Sequence, residues 1–380
     1  ERDHRVALRI ILGLPREAQS VPLLTEAHQL PLRLQADQRE LHHIQRMYRA
    51  PDGNALINRL TQRPNSRMGK IAALFTTIAG SPENSTSFTA PKERSKSIFP
   101  IYLSIPGILK KSDQPVSALF QLAQSHLFEN SHDYLQIFTD ASVHNGGQGG
   151  SAAFFCPATN IRRVFRIPHP SSSTTAELAA IDVALKYVQE ELGASKVIIL
   201  TDSRAALCRL LRTDSDGPIM CSIVKSASKL ITRGVSIISQ WIPSHVGIPG
   251  NEEAGHLASS CAHNECDCQE ISCLFDNARL LIRRHFLEQH PDQRVARGLF
   301  PSRIRGRGLP RRDIALLYKL RVGAVSVRER LYRQGRADSP LCSSCGSCET
   351  LEHIILECPT FVAQRALLMK EYELIGLRCR

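Results

Sequence analysis

The spacing of apolar residues changes character twice along the chain. Over residues 1–60, ALRIILGLP carries an apolar run that stops at Gly13-Leu14-Pro15. VPLLTEAHQLPLRLQADQRELHHIQRM then spaces its Leu residues as short helices broken at Pro31. Residues 62–116 have a poorer pattern, with SPENSTSFTAPKERSKS and IPGILKKSDQP, and read as a linker. SALFQLAQSHLFEN, at 117–130, predicts one amphipathic helix.

From residue 134 the period shortens. YLQIFTDAS, SAAFFC and RRVFRIP predict three strands, with NGGQGG as the first turn. PSSSTTAELAAIDVALKYVQEELG predicts a helix, with Ser/Thr caps before it and Gly193 past its end. KVIILTDS is a buried strand, RAALCRLL and PIMCSIVKSASKLITRG are helices, VSIISQWIPSH is a strand, and NEEAGHLASSCA is a final helix. The order β-β-β-α-β-α-α-β-α predicts an α/β domain with a mixed sheet and helices packed on it. Mainly helical segments flank it. The expected division is a helical segment at 1–60, a linker with one helix at 61–131, the α/β domain at 132–263, a basic helical region at 264–336, and a Cys/His segment with a terminal helix at 337–380. No repeat of solenoid period is present.

Charge sharpens this division. The chain of 380 residues has 48 Lys+Arg against 36 Asp+Glu, a net +12. Residues 133–262 balance at 11 basic and 11 acidic, whereas 279–336 hold 16 against 4. Such an excess suits contact with phosphates, which gives salt-dependent affinity without sequence preference. No apolar run approaches the ~18 residues that a membrane helix needs. No signal-peptide layout opens the chain, so an intracellular location, nuclear or cytoplasmic, is expected. The first residue is Glu1, which suggests a fragment or processed piece. Twelve Cys without a secretory signal point to reduced thiols or metal ligands.

Three acids fall where chemistry would need them. Asp140 ends the first strand, Glu177 lies at the start of the long helix, and Asp202 follows the fourth strand. Carboxylates converging at one sheet edge repel one another unless a hard cation neutralises them. Mg²⁺ or Mn²⁺ suits such a site, and paired ions there would stabilise attacking and leaving oxygens in phosphodiester hydrolysis. A loop with His245 precedes the last helix. Trp241, just before that loop, is expected to be a packed core aromatic rather than a base-stacking platform.

IFTDAS, STTAELAAIDVAL, VIILTDSRAAL and WIPSHVGIPGNEEA occur in this order over about 134–262. Together they resemble ribonuclease H of the type-one class, most closely the form carried by non-LTR retrotransposons. The resemblance implies a five-stranded mixed sheet with helices and cleavage of the RNA strand of RNA–DNA hybrids. It also implies metal binding by Asp140, Glu177 and Asp202, and a role for His245 in proton transfer or product release. The family pattern places a fourth acid where this chain has Gly255, so a second ion is expected to bind more weakly. The alternative expectation is a catalytically impaired nucleic-acid-binding remnant, or a decayed copy.

The flanks extend the resemblance. ALRIILGLPREAQ and IPGILKKSDQP resemble the segments between polymerase and nuclease in such elements. No Tyr-x-Asp-Asp signature is present, so a polymerase region is expected upstream of Glu1. LLYKLRVGAVSVRERLYRQGRADSPLCSSCGSCETLEHIILECP resembles their C-terminal region. Cys342, Cys345, His353 and Cys358 form C-x₂-C-x₇-H-x₄-C, a donor set suited to tetrahedral Zn²⁺ in a knuckle, with Cys348 as an extra thiol. Cys261, Cys266, Cys268 and Cys273 match no zinc spacing and read as chance thiols in a linker.

Overall fold

The computed structural model describes residues 1–50, 53–80, 98–108, 111–144, 149–191, 193–212, 217–263, 268–304 and 308–374. Six strands are present among them: β1 (Ile101–Tyr102), β2 (Leu135–Val143), β3 (Gly150–Cys156), β4 (Ile161–Ile167), β5 (Lys196–Thr201) and β6 (Ser236–Trp241). The helices begin with α1 (Arg2–Leu12), α2 (Ser20–Glu26), α3 (Leu32–Arg49), α4 (Gly53–Thr61), α5 (Arg67–Ala79) and α6 (Val116–Ser131). They continue with α7 (Ser173–Glu191), α8 (Arg204–Leu211), α9 (Pro218–Thr232), α10 (Pro249–His263) and α11 (Ala278–Leu287). The last four are α12 (Gln293–Ala296), α13 (Arg311–Arg321), α14 (Arg328–Arg333) and α15 (Val362–Leu374).

Two compact units result, Ala36–His285 and the pair of segments Glu1–Gln35 with Phe286–Arg380. They cut across the segments 1–60 and 264–336 expected from the sequence. The reason is tertiary: in the second of these units Leu8, Leu12, Leu23 and Leu24 share a core with Ala324, so distant stretches of chain close on each other.

In the unit Ala36–His285 the sheet order is β1-β6-β5-β2-β3-β4. β1, β6, β5 and β2 run parallel to their neighbours, and β3 and β4 continue antiparallel from β2. The order of elements from β2 to α10 is the one the periodicity predicts. The sheet has six strands rather than five, because Ile101 and Tyr102 pair with Ser239 and Gln240 at the β6 edge. A two-residue strand is too short to show alternation, so its pairing partner defines it. The stretch expected as linker also holds α5, whose Ser66 hydroxyl accepts from Gly69 N at 3.0 Å. Its apolar face is set by Ala72, Phe75 and Ala79, all buried. Residues 145–148 of the predicted NGGQGG turn lie outside the described residues.

Why α7 is central follows from its composition. Ala176, Ala179, Ala180, Ile181, Ala184, Leu185 and Val188 are all buried, so the helix is apolar nearly all round. Small Ala side chains let it lie close to β2 and β3. Ser172 caps it, its hydroxyl accepting from Thr175 N at 3.1 Å.

Candidate active site

Strand register brings the first two acids together. β2 and β5 are parallel, with Thr139 opposite Thr201. Asp140 and Asp202 are each the next residue, so they lie side by side where β5 ends; β2 runs on to Val143, so Asp140 stands within the strand, paired with Ala153 of β3, rather than at its end as expected. α7 crosses behind β2 and carries Glu177 to the same place. Oxygens of Asp140, Glu177 and Asp202 all lie within 4.8 Å of one another.

The electrostatics are those of a site built around positive charge. Burial, then the neighbouring charge of Asp202, pushes the Asp140 carboxyl up to about 7. Burial, then Asp140 and Asp202, raises Glu177 well above the ordinary carboxylate range. Glu177 is only 7% exposed, and its Oε2 has no hydrogen-bond partner. An orphaned buried carboxylate oxygen in a cluster of acids fits a hard divalent cation, and the donor set is the oxygen set that Mg²⁺ and Mn²⁺ take.

The surrounding residues hold this edge in place. The Ala141 amide donates to Asp140 Oδ1 at 2.7 Å. Asn251 Nδ2 donates to Asp202 Oδ2 at 3.4 Å. Trp241 Nε1 donates to the Asp202 carbonyl at 3.1 Å, and the ring is buried, as expected of a core aromatic. The Arg204 guanidinium lies 3.8 Å from the centroid of that ring, a close cation–π contact beside the acids. His245 is exposed on the loop before α10, with a positive φ of 53°. It lines the same cleft as Asp140 and Asp202, together with Asn251, Glu252 and His256. Glu252 and Glu253 are the two acids the sequence offers as substitutes for the missing fourth one; Asn251, His256 and Arg204 were not singled out from the sequence, and the helical spacing of Asn251, Gly255 and Ser259 is the signal that α10 presents one face to the cleft.

α10 comes down on β2 through two glycines. A Cβ on Gly250 would sit 2.3 Å from the Phe138 ring. A Cβ on Gly255 would sit 2.6 Å from Asp140 Oδ2. The position without a fourth acid is therefore in direct contact with the first acid.

A second cluster forms in the other unit. One donor atom each from Cys342, Cys345, His353 and Cys358 lie within 4.8 Å of one another. Cys345 Sγ is 3.2 Å from His353 Nε2, and Cys342 Sγ is 3.9 Å from Cys358 Sγ. The Ser344 amide, then His353, lowers the Cys342 thiol to about 6. Glu357 lies 3.6 Å from His353 Nδ1, so Nε2 faces the thiols. Cys348 stays outside the group; its backbone pairs with Leu341 to shape the knuckle. Cys261 belongs to the last turn of α10 rather than to a linker, and its Sγ is 3.2 Å from Cys268 Sγ in the segment that follows; Cys266 lies outside the described residues.

The Arg-rich stretch is engaged more than its composition suggests. Arg321 pairs with Glu26, Arg336 with Glu17, and Arg333 with Glu329. Arg311 donates to the carbonyls of Ile10 and Ile11, which binds the end of α1. Arg297, Arg303 and Arg312 are exposed.

A mixed sheet with carboxylates side by side on neighbouring strands, one within β2 and one just after β5, and a third on the crossing helix defines the class, and the family comparison agrees. Residues 132–263 match the RNase H family, and this part of the chain is an RNase H domain. The chain is also similar to the Pol polyprotein of Ovine maedi visna related virus (strain South Africa), 34% identical over 116 residues. That match covers 30% of this chain and 10% of the viral protein. Among the described residues, no helix is long and apolar enough to cross a membrane.

Proposed function

We propose that the domain hydrolyses the RNA strand of RNA–DNA hybrids with Mg²⁺ or Mn²⁺, as part of a retroelement polyprotein. The observation that carries this reading is the convergence of Asp140, Glu177 and Asp202 oxygens within 4.8 Å, with Glu177 Oε2 buried and unpartnered. Bound there, divalent cations would supply charge stabilisation for the attacking and leaving oxygens of the phosphodiester. The chain's own contribution is to fix the three carboxylates on rigid elements. The Ala141 amide and Asn251 orient Asp140 and Asp202, and the core around α7 keeps water from Glu177. His245 stands at the cleft mouth, where an exposed imidazole can move a proton or assist product release. An A-like hybrid displays its 2′-hydroxyls in a wide minor groove, which is how RNA is told from DNA.

The flanking parts fit a holding role. Cys342, Cys345, His353 and Cys358 present three thiolates and an imidazole, the donor set of a structural Zn²⁺ site. The basic residues at 279–336 suit phosphate contact. A polymerase region of the same polyprotein would precede this chain, and reduced Cys suit the nucleus or cytoplasm. The second reading, a binding remnant that no longer cuts, is favoured by Gly255 alone.

A labelled hybrid incubated with the chain and Mg²⁺ or Mn²⁺ decides between them. Cleavage is expected, with Asp140→Asn reducing it at least 100-fold. Product equal in the two proteins would refute the nuclease reading, and hybrid binding without cleavage would establish the remnant.

A further inference from the structure

Residues 269–277 lie past the end of the RNase H match at 263, yet they pack on the nuclease within the same compact unit, Ala36–His285. Arg166, on the edge strand β4, donates its amide to the Gln269 carbonyl at 3.0 Å, and its carbonyl accepts from the Ile271 amide at 2.9 Å. Glu270 forms a parallel bridge with Arg166, so the segment covers an edge of the sheet. Two residues on, the Cys273 amide donates to His169 Nε2 at 2.7 Å, in the connection from β4 to α7. Burial holds the His169 ring below its ordinary range, so it stays neutral and Nε2 remains an acceptor.

The segment ends on the N-terminus of α7. Asn277 is 3% exposed. Its Oδ1 accepts from the Ser172 amide at 3.0 Å, and its Nδ2 donates to Ser171 Oγ at 3.0 Å and to the Cys273 carbonyl at 3.1 Å. Ser172 is the residue whose hydroxyl caps α7. A side chain outside the family match therefore holds the cap of the helix that carries Glu177. Glu177 Oε2 has no hydrogen-bond partner to fix it, so the backbone of α7 sets where that carboxylate stands relative to Asp140 and Asp202. Other elements hold the segment in turn. The Phe275 ring centroid lies 5.6 Å from that of Tyr48 and 6.0 Å from that of Phe75, and Asp276 Oδ1 accepts from the Ile219 amide at the start of α9 at 3.4 Å.

We propose that residues 269–277 are part of the working nuclease and that Asn277 is a positioning residue, which sets Glu177 against the other two acids through the Ser172 cap. This rests on the reading of Asp140, Glu177 and Asp202 as the cation site. Asn277 acts through α7 and not on the reacting atoms. A misplacement of ~1 Å at a reacting centre costs about 100-fold in rate, so a frayed first turn of α7 would be felt at the metal.

The test uses the full chain and reads Mn²⁺ binding by loss of the free-ion EPR signal, hydrogen exchange of peptides covering 171–178, and hybrid cleavage. Asn277→Ala should weaken the Mn²⁺ site that Asp140→Asn removes by about tenfold, speed exchange at 171–178, and lower kcat about tenfold while KM for the hybrid holds. Asn277→Asp keeps an acceptor for the Ser172 amide and should recover much of the Mn²⁺ affinity. Ser171→Ala, a milder change, should move the same readouts in the same direction. Leu119→Ala, at a buried position of α6, should lower the melting temperature and leave Mn²⁺ affinity unchanged. Wild-type Mn²⁺ affinity in Asn277→Ala would overturn the role of Asn277. Equal weakening by Leu119→Ala would also overturn it, as a general effect of stability. If Asn277→Ala does not fold, Ser171→Ala decides by the same criteria. Unchanged Mn²⁺ binding in Asp140→Asn would overturn the cation site and this role together. The expected Mn²⁺ changes without any cleavage by the wild type would sink the nuclease reading and leave Asn277 positioning Glu177.

Discussion

Gly255 illustrates how one missing side chain has two separable consequences. It withholds a carboxylate, and it makes room for Asp140 Oδ2, which lies 2.6 Å from where a Cβ would be. Gly255→Ala isolates the second effect. Ala is favoured over Gly inside a helix by ~0.5–1 kcal/mol, so the melting temperature should hold or rise. The added methyl must displace the Asp140 carboxylate, so Mn²⁺ affinity and hybrid cleavage should fall several-fold. A variant that cleaves as wild type would show that Asp140 moves aside without loss. Gly255→Asp adds the same crowding together with a ligand. Its rate should therefore exceed that of Gly255→Ala, and the difference measures what a carboxylate at this position contributes. At the same scale, Asp140, Glu177 and Asp202 were legible in the sequence because each stands in or next to a strongly patterned element. Glu252 against Glu253 was not legible, since only the Arg162 side chain on β4, which pairs with Glu253, decides which of them faces the cleft.

Elements differ in how far their own sequence specifies them. α7 and β5 have long apolar patterns, and the structure follows them. β1 has two residues and exists only because β6 offers an unpaired edge. The knuckle at 342–358 is a further case, since its four donors converge through a short backbone pairing of Leu341 with Cys348 rather than through a large core. A site so poor in apolar burial should depend on its metal for folding. Zn²⁺ is expected to bind once per chain, and Cys342→Ser should abolish that stoichiometric binding. Chelation should raise proteolytic cleavage within 337–374 and leave the RNase H domain resistant. Metal analysis and limited proteolysis check both, and a wild-type Zn²⁺ content in Cys342→Ser would count against the site.

For the whole molecule, the +12 net charge and its location have to be read together with the ion pairs. The nuclease domain is neutral, and its chemistry is acidic. The excess sits in 279–336, where Arg321, Arg333 and Arg336 already answer Glu26, Glu329 and Glu17. The exposed pairs Arg333–Glu329 and Arg336–Glu17 contribute ~0–1 kcal/mol each, so they orient segments more than they stabilise them, whereas the Glu26 carboxylate that Arg321 meets is largely buried. The proposed phosphate contact then falls to exposed residues such as Arg297, Arg303 and Arg312, the last of which also lies 3.3 Å from Asp313. Replacing these three by Gln should flatten the dependence of log affinity on log salt by about 0.7–0.9 for each phosphate that is no longer neutralised. An unchanged slope for binding of a duplex would place the nucleic-acid interface elsewhere.

The sequence by itself determined the order of elements from residue 135 to 263, the three acids and the Cys/His set. Each of these rests on local periodicity or on spacing within a short stretch of chain. The tertiary structure alone decided the sixth strand, the closure of distant segments into one unit and the engagement of the Arg-rich stretch. It also decided the contact of position 255 with Asp140 and the separate directions of Glu252 and Glu253. These depend on which groups meet across long chain separations, and that meeting is set by packing, which no local pattern encodes.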